Sequence, residues 1–251
     1  MRKLFFLLLA YALISPIAQA FDHEHQTWSQ ILKKYLNAKK LVNYSALKED
    51  QGALNKYLEQ LMSISNNEFN SWSNNERKAF LINAYNAFTI KLIVQNYPVN
   101  SIKDIGGIFT SPWKKKFFKL LDGRIKTLDQ IEHNELRKKF EDYRIHAAVN
   151  CASKSCPPLR PRAFTAARLD TELDEQMELW LADETRNEFK LDSNKIRLSM
   201  IFKWYRSDFE TWGGGLGTVL LRYAPPQAAD LWENNAKISY LSYDWSLNEF
   251  K

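Results

Sequence analysis

The stretch from Ala79 to Val94 constrains the fold more than any other, because it is apolar on almost every side. Ser73 and Glu76 have the spacing of a capping box before it, and Pro98 follows it, so the pattern predicts one helix between them. A helix without a polar face leaves no side for water and belongs in the centre of a domain. We therefore predict a fold built around this buried helix.

Two asparagines interrupt the apolar surface of this helix. Asn83 and Asn86 are three residues apart and so share one face. A buried amide without a hydrogen-bond partner costs about 1–3 kcal/mol, so both side chains need partners. They either tie the helix to a neighbouring loop or line a binding site, and we favour the structural tie.

Apolar residues recur with helical spacing in several other segments. Thr27–Asn37 and Leu54–Met62 each carry one apolar stripe, and an acidic helix is predicted over Ala166–Ala182. A second capping-box spacing, at Thr127 and Gln130, predicts a helix that ends near Phe140. Helices therefore dominate the predicted fold.

The strand signals are short. Asp122-Gly123 between two apolar runs is typical of a hairpin, and Phe189–Ser199 has the pattern of a second hairpin. Side chains alternate over Tyr143–Asn150, which predicts a strand, and Lys237–Trp245 predicts a last one. The expected class is α+β, a mostly helical single domain with a central buried helix and a small, mainly antiparallel sheet.

Residues 1–20 have the parts of a secretory signal peptide. A positively charged start precedes an apolar run from Leu4 to Ile14, and Ala18–Ala20 is an Ala-x-Ala cleavage site. The run is too short to span a bilayer comfortably, so an uncleaved anchor is the less favoured alternative. We expect a cleaved leader at 1–20 and one globular domain at 21–251, periplasmic or secreted, without stable membrane insertion.

The charge balance argues against nucleic acid as a partner. The net charge is +6, and two of the positive charges belong to the leader, so the mature excess is small. Gly213–Gly217 is glycine-rich but lacks the Lys-Ser/Thr of a phosphate-binding loop, and no dinucleotide fingerprint follows a predicted strand. We predict no cofactor; the remaining partner classes are a small molecule, a peptide or a cell-wall component.

Residues capable of chemistry gather in one region. Cys151 and Cys156 are the two cysteines of the chain, and His133 and His146, two of its four histidines, lie just upstream. One interpretation is a disulfide, which export to an oxidising compartment favours and which adds about 2 kcal/mol for so short a loop. Zinc binding is the least favoured, because the spacing matches no standard zinc finger.

The competing interpretation is a catalytic thiol. Cys151 is then the nucleophile, with Cys156 as the second candidate, and His146 or His133 is the base. Asn83 or Asn86 orients the imidazole, as an asparagine does in papain-like sites. These residue types suggest a papain- or transglutaminase-like arrangement, although the chain order Asn, His, Cys is the reverse of the papain order.

Several segments, among them FLINAYNAFTIKLI, LDQIEHNELR, RIHAAVNCASKSCPPL and LSMIFKWYRSDF, resemble one family. It is the domain-of-unknown-function family numbered 547, and the chain looks like a secreted bacterial member. The similarity runs over nearly the whole mature chain and implies one intact domain, but no activity. The family signature maps onto Asn83, Asn86, His133, His146, Cys151, Ser153, Ser155 and Cys156.

Two hypotheses for function follow. The first is an exported thiol-dependent hydrolase or transferase that acts on amide or ester bonds. The second is a non-catalytic envelope protein whose loop, stiffened by a Cys151–Cys156 disulfide, binds a partner or wall polymer; here Ser153, Ser155 and Asn86 are candidate binding residues. The redox state of the two cysteines separates the hypotheses.

Overall fold

The computed structural model describes residues 20–107 and 110–250. The predicted signal peptide, apart from Ala20, lies outside these residues. Within them, no helix combines the length and the apolar character that a membrane crossing requires.

The α-helices are α1 (Gln26–Tyr35), α2 (Tyr44–Glu49), α3 (Gly52–Ser63), α4 (Asn66–Ser71), α5 (Asn74–Asn96), α6 (Lys138–Phe140), α7 (Ile145–Ala148), α8 (Leu169–Leu181), α9 (Met200–Trp204), α10 (Arg206–Thr211), α11 (Leu216–Tyr223) and α12 (Gln227–Glu233). A π-helix, Gln130–Arg137, runs directly into α6. The strands are β1 (Glu188–Lys190), β2 (Lys195–Leu198) and β3 (Lys237–Tyr240). The prediction of a mostly helical α+β fold is confirmed.

The central helix α5 forms as its sequence predicts. Ser73 Oγ accepts a hydrogen bond from the amide of Glu76 at 3.3 Å, and the Ser73 amide donates to Glu76 Oε2 at 2.7 Å. Every residue from Lys78 to Ile90 is buried, and the helix ends before Pro98. Helices α2 and α3 pack against it, and α1 packs against α2 and α3.

The sheet differs from expectation in one pairing. The hairpin β1–β2 is antiparallel, with Phe189 opposite Ile196, as predicted. Strand β3 pairs with β2 in parallel, with Ile238 beside Ile196, so the three-stranded sheet is mixed. Helices α9 to α12 lie between these two strands in the chain. Parallel strands are joined by a long crossover rather than by a tight turn, so the sequence carries no turn motif that would predict this pairing. At Asp122-Gly123 the predicted hairpin is reduced to one bridge, between Leu120 and Ile125.

The predicted strand at Tyr143–Asn150 is wrong, because Ile145–Ala148 is the short helix α7. Asp142 begins this helix: its carboxylate accepts from the Arg144 amide at 3.0 Å, and its carbonyl accepts from the Ile145 amide at 3.2 Å. The apolar alternation that predicted a strand arises because α7 contacts apolar residues on both sides.

Helix α7 lies between two hydrophobic clusters. Ile145 and Ala148 belong to the larger cluster around α5, whereas Tyr143 and Ala147 belong to a second cluster that includes Trp180 of α8. The chain that leads from α7 to the cysteines is therefore clamped between the two clusters. This position fixes the segment that carries the chemistry-capable residues.

Candidate functional site

A cavity of about 270 Å³ opens beside the segment that follows α7. Four of the residues predicted from the sequence, His133, His146, Cys151 and Cys156, line it together. A concave site in which a few polar groups converge among apolar walls is the usual form of a ligand or active site. The expected convergence of imidazoles and cysteines on one place is therefore present in the structure.

His146 faces a carboxylate from a distant part of the chain. Its Nε2 lies 2.8 Å from Oδ2 of Asp208, and its ring stacks on Tyr205 at 4.0 Å between centroids. Burial lowers the pKa of His146, and the hydrogen bond to Asp208 offsets this only in part. The imidazole is therefore neutral at neutral pH. Because the carboxylate accepts, the ring proton lies on Nε2 and Nδ1 carries the lone pair.

Asp208 is held as a carboxylate by two partners. Burial opposes its ionisation, but hydrogen bonds from His146 and Arg137 outweigh burial and hold the pKa of this carboxyl far below its usual range. Arg137 binds it in bidentate fashion, Nε at 2.7 Å from Oδ2 and Nη2 at 2.8 Å from Oδ1. Two fixed donors thus determine the orientation of Asp208.

The π-helix supplies the opposite side of the cavity. His133 Nδ1 lies 3.3 Å from Arg137 Nη1, which connects the second histidine to the same network. Buried Glu132, one residue earlier, accepts a hydrogen bond from the Tyr205 hydroxyl at 2.6 Å. Single π-helical turns inside α-helices are frequent at functional sites.

The two cysteines are joined in a disulfide, Cys151–Cys156, so the disulfide interpretation is confirmed. Both hydroxyls beside it contact both sulfurs: Tyr243 lies 3.2 Å from Cys151 Sγ and 3.3 Å from Cys156 Sγ, and Ser153 lies 3.3 Å and 3.4 Å from them. The Cys151 amide also donates to Cys156 Sγ at 2.9 Å. Burial raises the pKa of Tyr243, so its hydroxyl keeps its proton.

Residues 69–181 match the family described as "Protein of unknown function, DUF547". Over this segment the chain is similar to the family. No curated protein and no solved structure matches the chain. The matched segment contains both asparagines, both pocket histidines and both cysteines, whereas Asp208 and Tyr243 lie beyond it.

The two asparagines of the DUF547 segment are structural ties, as we favoured. Asn83 Nδ2 donates to the Phe164 carbonyl at 2.8 Å and its Oδ1 accepts from the Phe164 amide at 3.0 Å. Asn86 donates to the carbonyl of Ala148 at 2.9 Å and accepts from the amide of Asn150 at 2.8 Å. We had considered that one of these asparagines orients the imidazole. In the structure, however, both side-chain amides are hydrogen-bonded to backbone groups, and the residue that contacts His146 Nε2 is Asp208.

The two serines of the family signature make contacts that hold the cysteine loop in place. Ser153 is fully buried beneath the disulfide, and Ser155 Oγ accepts from the Asp244 amide at 2.8 Å. Ser155 thereby ties the cysteine loop to the C-terminal segment that carries Tyr243. Both serines make contacts within the chain, and neither is among the residues that line the cavity.

Sequence reasoning missed the residues that surround the cysteines and histidines. Asp208 and Tyr205 lie in the segment LSMIFKWYRSDF, which carried the family resemblance but had no assigned role. Glu132 directly precedes His133. Its position next to a candidate histidine could have marked it as a candidate site residue. The aromatic wall of the cavity has no local signal, because it assembles from distant segments of the chain: Trp113, Trp204, Tyr243 and Trp245.

Proposed function

We propose that the protein is an exported thiol-dependent hydrolase or transferase that acts on amide or ester bonds. Cys151 is the nucleophile, His146 is the base, and the disulfide is a resting form that a reductant opens. The observation that carries this proposal is the 2.8 Å contact between His146 Nε2 and Asp208 in the cavity that Cys151 also lines. A buried imidazole with a fixed tautomer, in the same cavity as a cysteine, supplies the base that nucleophilic thiol catalysis needs.

The chemistry begins with reduction. A thiol reductant supplies two electrons and two protons, and Cys151 and Cys156 become thiols. The neutral His146 ring then accepts the Cys151 proton on Nδ1, and the Asp208 carboxylate stabilises the imidazolium that forms. The thiolate attacks the substrate carbonyl, and the leaving group takes the proton back from the imidazolium. Water or another acceptor then releases the acyl group from Cys151.

Export is the second part of the proposal. A disulfide persists in the periplasm or outside the cell, whereas cytosolic thiols are kept reduced. The leader pattern of residues 1–20 and the bonded pair Cys151–Cys156 both agree with such a compartment. In this account one globular domain, residues 21–251, remains after cleavage.

Acyl transfer is tested with reduced and oxidised protein on a panel of chromogenic esters and amides. We expect activity only after reduction, loss of activity in Cys151→Ser, and reductant-independent activity in Cys156→Ser. Glu210→Gln serves as the matched control, because Glu210 is an exposed residue of the same helix as Asp208. Activity that survives in Cys151→Ser contradicts the proposal.

The second candidate is a non-catalytic envelope protein that binds a ligand in the same cavity. Its supporting observation is the continuous aromatic wall, in which Tyr243 lies 4.5 Å from Trp245 and 4.8 Å from Trp204 between ring centroids. In this case the disulfide stiffens the loop, and the oxidised protein is the functional form. Calorimetry of the oxidised protein with peptides and cell-wall fragments tests it: binding that reduction abolishes, without turnover, favours this candidate.

A further inference from the structure

We infer that the Cys151–Cys156 disulfide exchanges with thiols in a fixed direction, with Cys151 attacked and Cys156 released. This activity goes beyond acyl transfer, because it needs a dithiol as its substrate and no carbonyl group. It makes the protein a thiol oxidant in its disulfide form. Two features of the site support the direction of exchange, and a third supports its rate.

The first feature is unequal access to the two sulfurs. Cys151 is half-buried, whereas Cys156 is 2% exposed. Both residues line the cavity, so a thiol that enters it meets the more open residue first. Which sulfur is attacked depends on access, and access favours Cys151.

The second feature is the donor set on Cys156. The Cys151 backbone amide donates to Cys156 Sγ at 2.9 Å, and this donor is held in place by the chain. Hydrogen bonds to an anion are about twice as strong as those between neutral groups, so the amide stabilises Cys156 most when it becomes a thiolate. A leaving thiol with a lower pKa leaves faster, which again directs attack to Cys151.

The third feature is the orientation of the Tyr243 hydroxyl. Ser153 Oγ lies 3.0 Å from this oxygen and donates to it, which leaves the phenolic proton to point at the sulfurs. Tyr243 OH is 3.3 Å from Cys156 Sγ and 3.2 Å from Cys151 Sγ, so it can donate to whichever sulfur leaves as a thiolate. Tyr243 is thus a second donor ready for the departing thiolate, and we assign it as a positioning and stabilising residue for exchange.

The exchange balances in two steps. The first thiolate of the dithiol attacks Cys151 Sγ; a new S–S bond joins it to Cys151, and Cys156 leaves with the electron pair of the old bond. The second thiolate of the dithiol then attacks its partner sulfur in this mixed disulfide, and Cys151 leaves as a thiolate. The dithiol has lost two electrons and two protons, and the cysteine pair has gained them.

The direction is tested with glutathione as the probe. Oxidised mature protein is exposed briefly to glutathione, and the reaction is quenched with acid before free thiols are alkylated. Trypsin then cleaves after Arg144 and Lys154, so the two cysteines fall on separate peptides. We expect the glutathionyl group on the peptide of Cys151. Equal labelling of both peptides, or labelling of Cys156, overturns the inference.

The donor role is tested with Tyr243→Phe, which keeps the ring. We expect oxidation of the dithiol dithiothreitol to slow about tenfold, since a hydrogen bond to a charged group is worth about 1.5–3 kcal/mol. Tyr240→Phe, in the neighbouring strand, is the control and keeps the wild-type rate. An unchanged rate in Tyr243→Phe overturns the inference. The Cys156→Ser variant cannot form the disulfide but keeps Cys151 as a free thiol. Acyl transfer by this variant therefore tests the proposed function independently of thiol exchange.

Discussion

His146 Nε2 and Asp208 Oδ2 lie 2.8 Å apart although 62 residues separate them in the chain. The contact joins helix α7, which follows the π-helix, to helix α10, and both side chains are buried. The pair fixes one tautomer of a neutral imidazole in the cavity that the disulfide also lines. Any chemistry of the cavity that uses His146 therefore depends on Asp208.

Asp208→Asn tests this dependence. The amide keeps the size of the side chain but removes the charge that stabilises an imidazolium and binds Arg137. We expect kcat/KM of the reduced protein to fall about a hundredfold or more, and the free energy of unfolding to fall by about 1–3 kcal/mol. Steady-state kinetics and urea unfolding measure the two effects. Acyl transfer as fast as in Glu210→Gln would contradict the assigned role.

Buried histidines make stability depend on pH. Burial lowers the pKa of His25 to about 3, and burial also lowers the pKa of His146. Below about pH 6.5 the unfolded chain binds protons that the folded protein does not, so the free energy of unfolding falls as pH falls. Between pH 6.5 and its lowered folded-state pKa, His25 contributes up to about 1.4 kcal/mol per pH unit.

His25→Gln isolates one of these contributions. Glutamine still reaches the Tyr57 hydroxyl, which contacts His25 Nδ1 at 2.7 Å, but it does not titrate. We expect the slope of unfolding free energy between pH 6.5 and 5 to decrease by about one proton. Urea unfolding at several pH values measures the slope, and His23→Gln, on a half-buried neighbour, is the control. A slope equal to that of the control would count against a neutral buried His25.

Asn86 holds the segment before Cys151 through two backbone groups. Asn86→Leu leaves the Ala148 carbonyl and the Asn150 amide without these partners in the interior. We expect a loss of about 2–4 kcal/mol in unfolding free energy, because each orphaned buried group costs about 1–3 kcal/mol. Asn96→Ala, at the half-buried end of the same helix, provides the comparison. Equal losses in the two variants would refute the tie.

The disulfide closes a short loop, with a sequence separation of 5. Its effect on the unfolded chain is correspondingly small, and we expect the double change Cys151→Ala, Cys156→Ala to lower the unfolding free energy by about 2 kcal/mol. Denaturation without reductant measures this difference. A loss above about 4 kcal/mol would mean that the bond is mainly structural, and would weaken the proposal that it opens during function.

Export predicts a defined N-terminus. Cleavage after Ala20 makes Phe21 the first residue, and in the structure its ring stacks on Trp72 at 5.3 Å between centroids. Mass spectrometry of protein isolated from the envelope fraction should give a chain that begins at Phe21. A chain that retains residues 1–20 in the cytoplasm would reject the leader and the oxidising compartment together.

Features with local causes were predictable from the sequence. The central helix follows from its unbroken apolar surface and from the capping pair Ser73 and Glu76, and the hairpin β1–β2 follows from its turn. The strand prediction for Tyr143–Asn150 was wrong because its apolar alternation has another cause. The segment contains the short helix α7, which packs between two apolar clusters and so needs apolar residues on both sides. The local pattern does not distinguish these cases.

The candidate site was predictable only in part. His146 and Cys151 are close in sequence, and the segment between them is short enough to bring both to one cavity. Asp208 and Tyr243 reach that cavity through tertiary packing, and nothing in their own segments indicates a partner. The sequence therefore predicted the groups that we propose to react, but not the groups that orient them.

The central claim is that Cys151, His146 and Asp208 form one thiol centre. The most direct measurement is the rate at which p-nitrophenyl acetate acylates Cys156→Ser, read by mass spectrometry on the tryptic peptide that contains Cys151. The account predicts rapid acylation of this peptide at neutral pH, and slowing by about a hundredfold when Asp208→Asn is added. Acylation at the same rate with and without Asp208→Asn would contradict it.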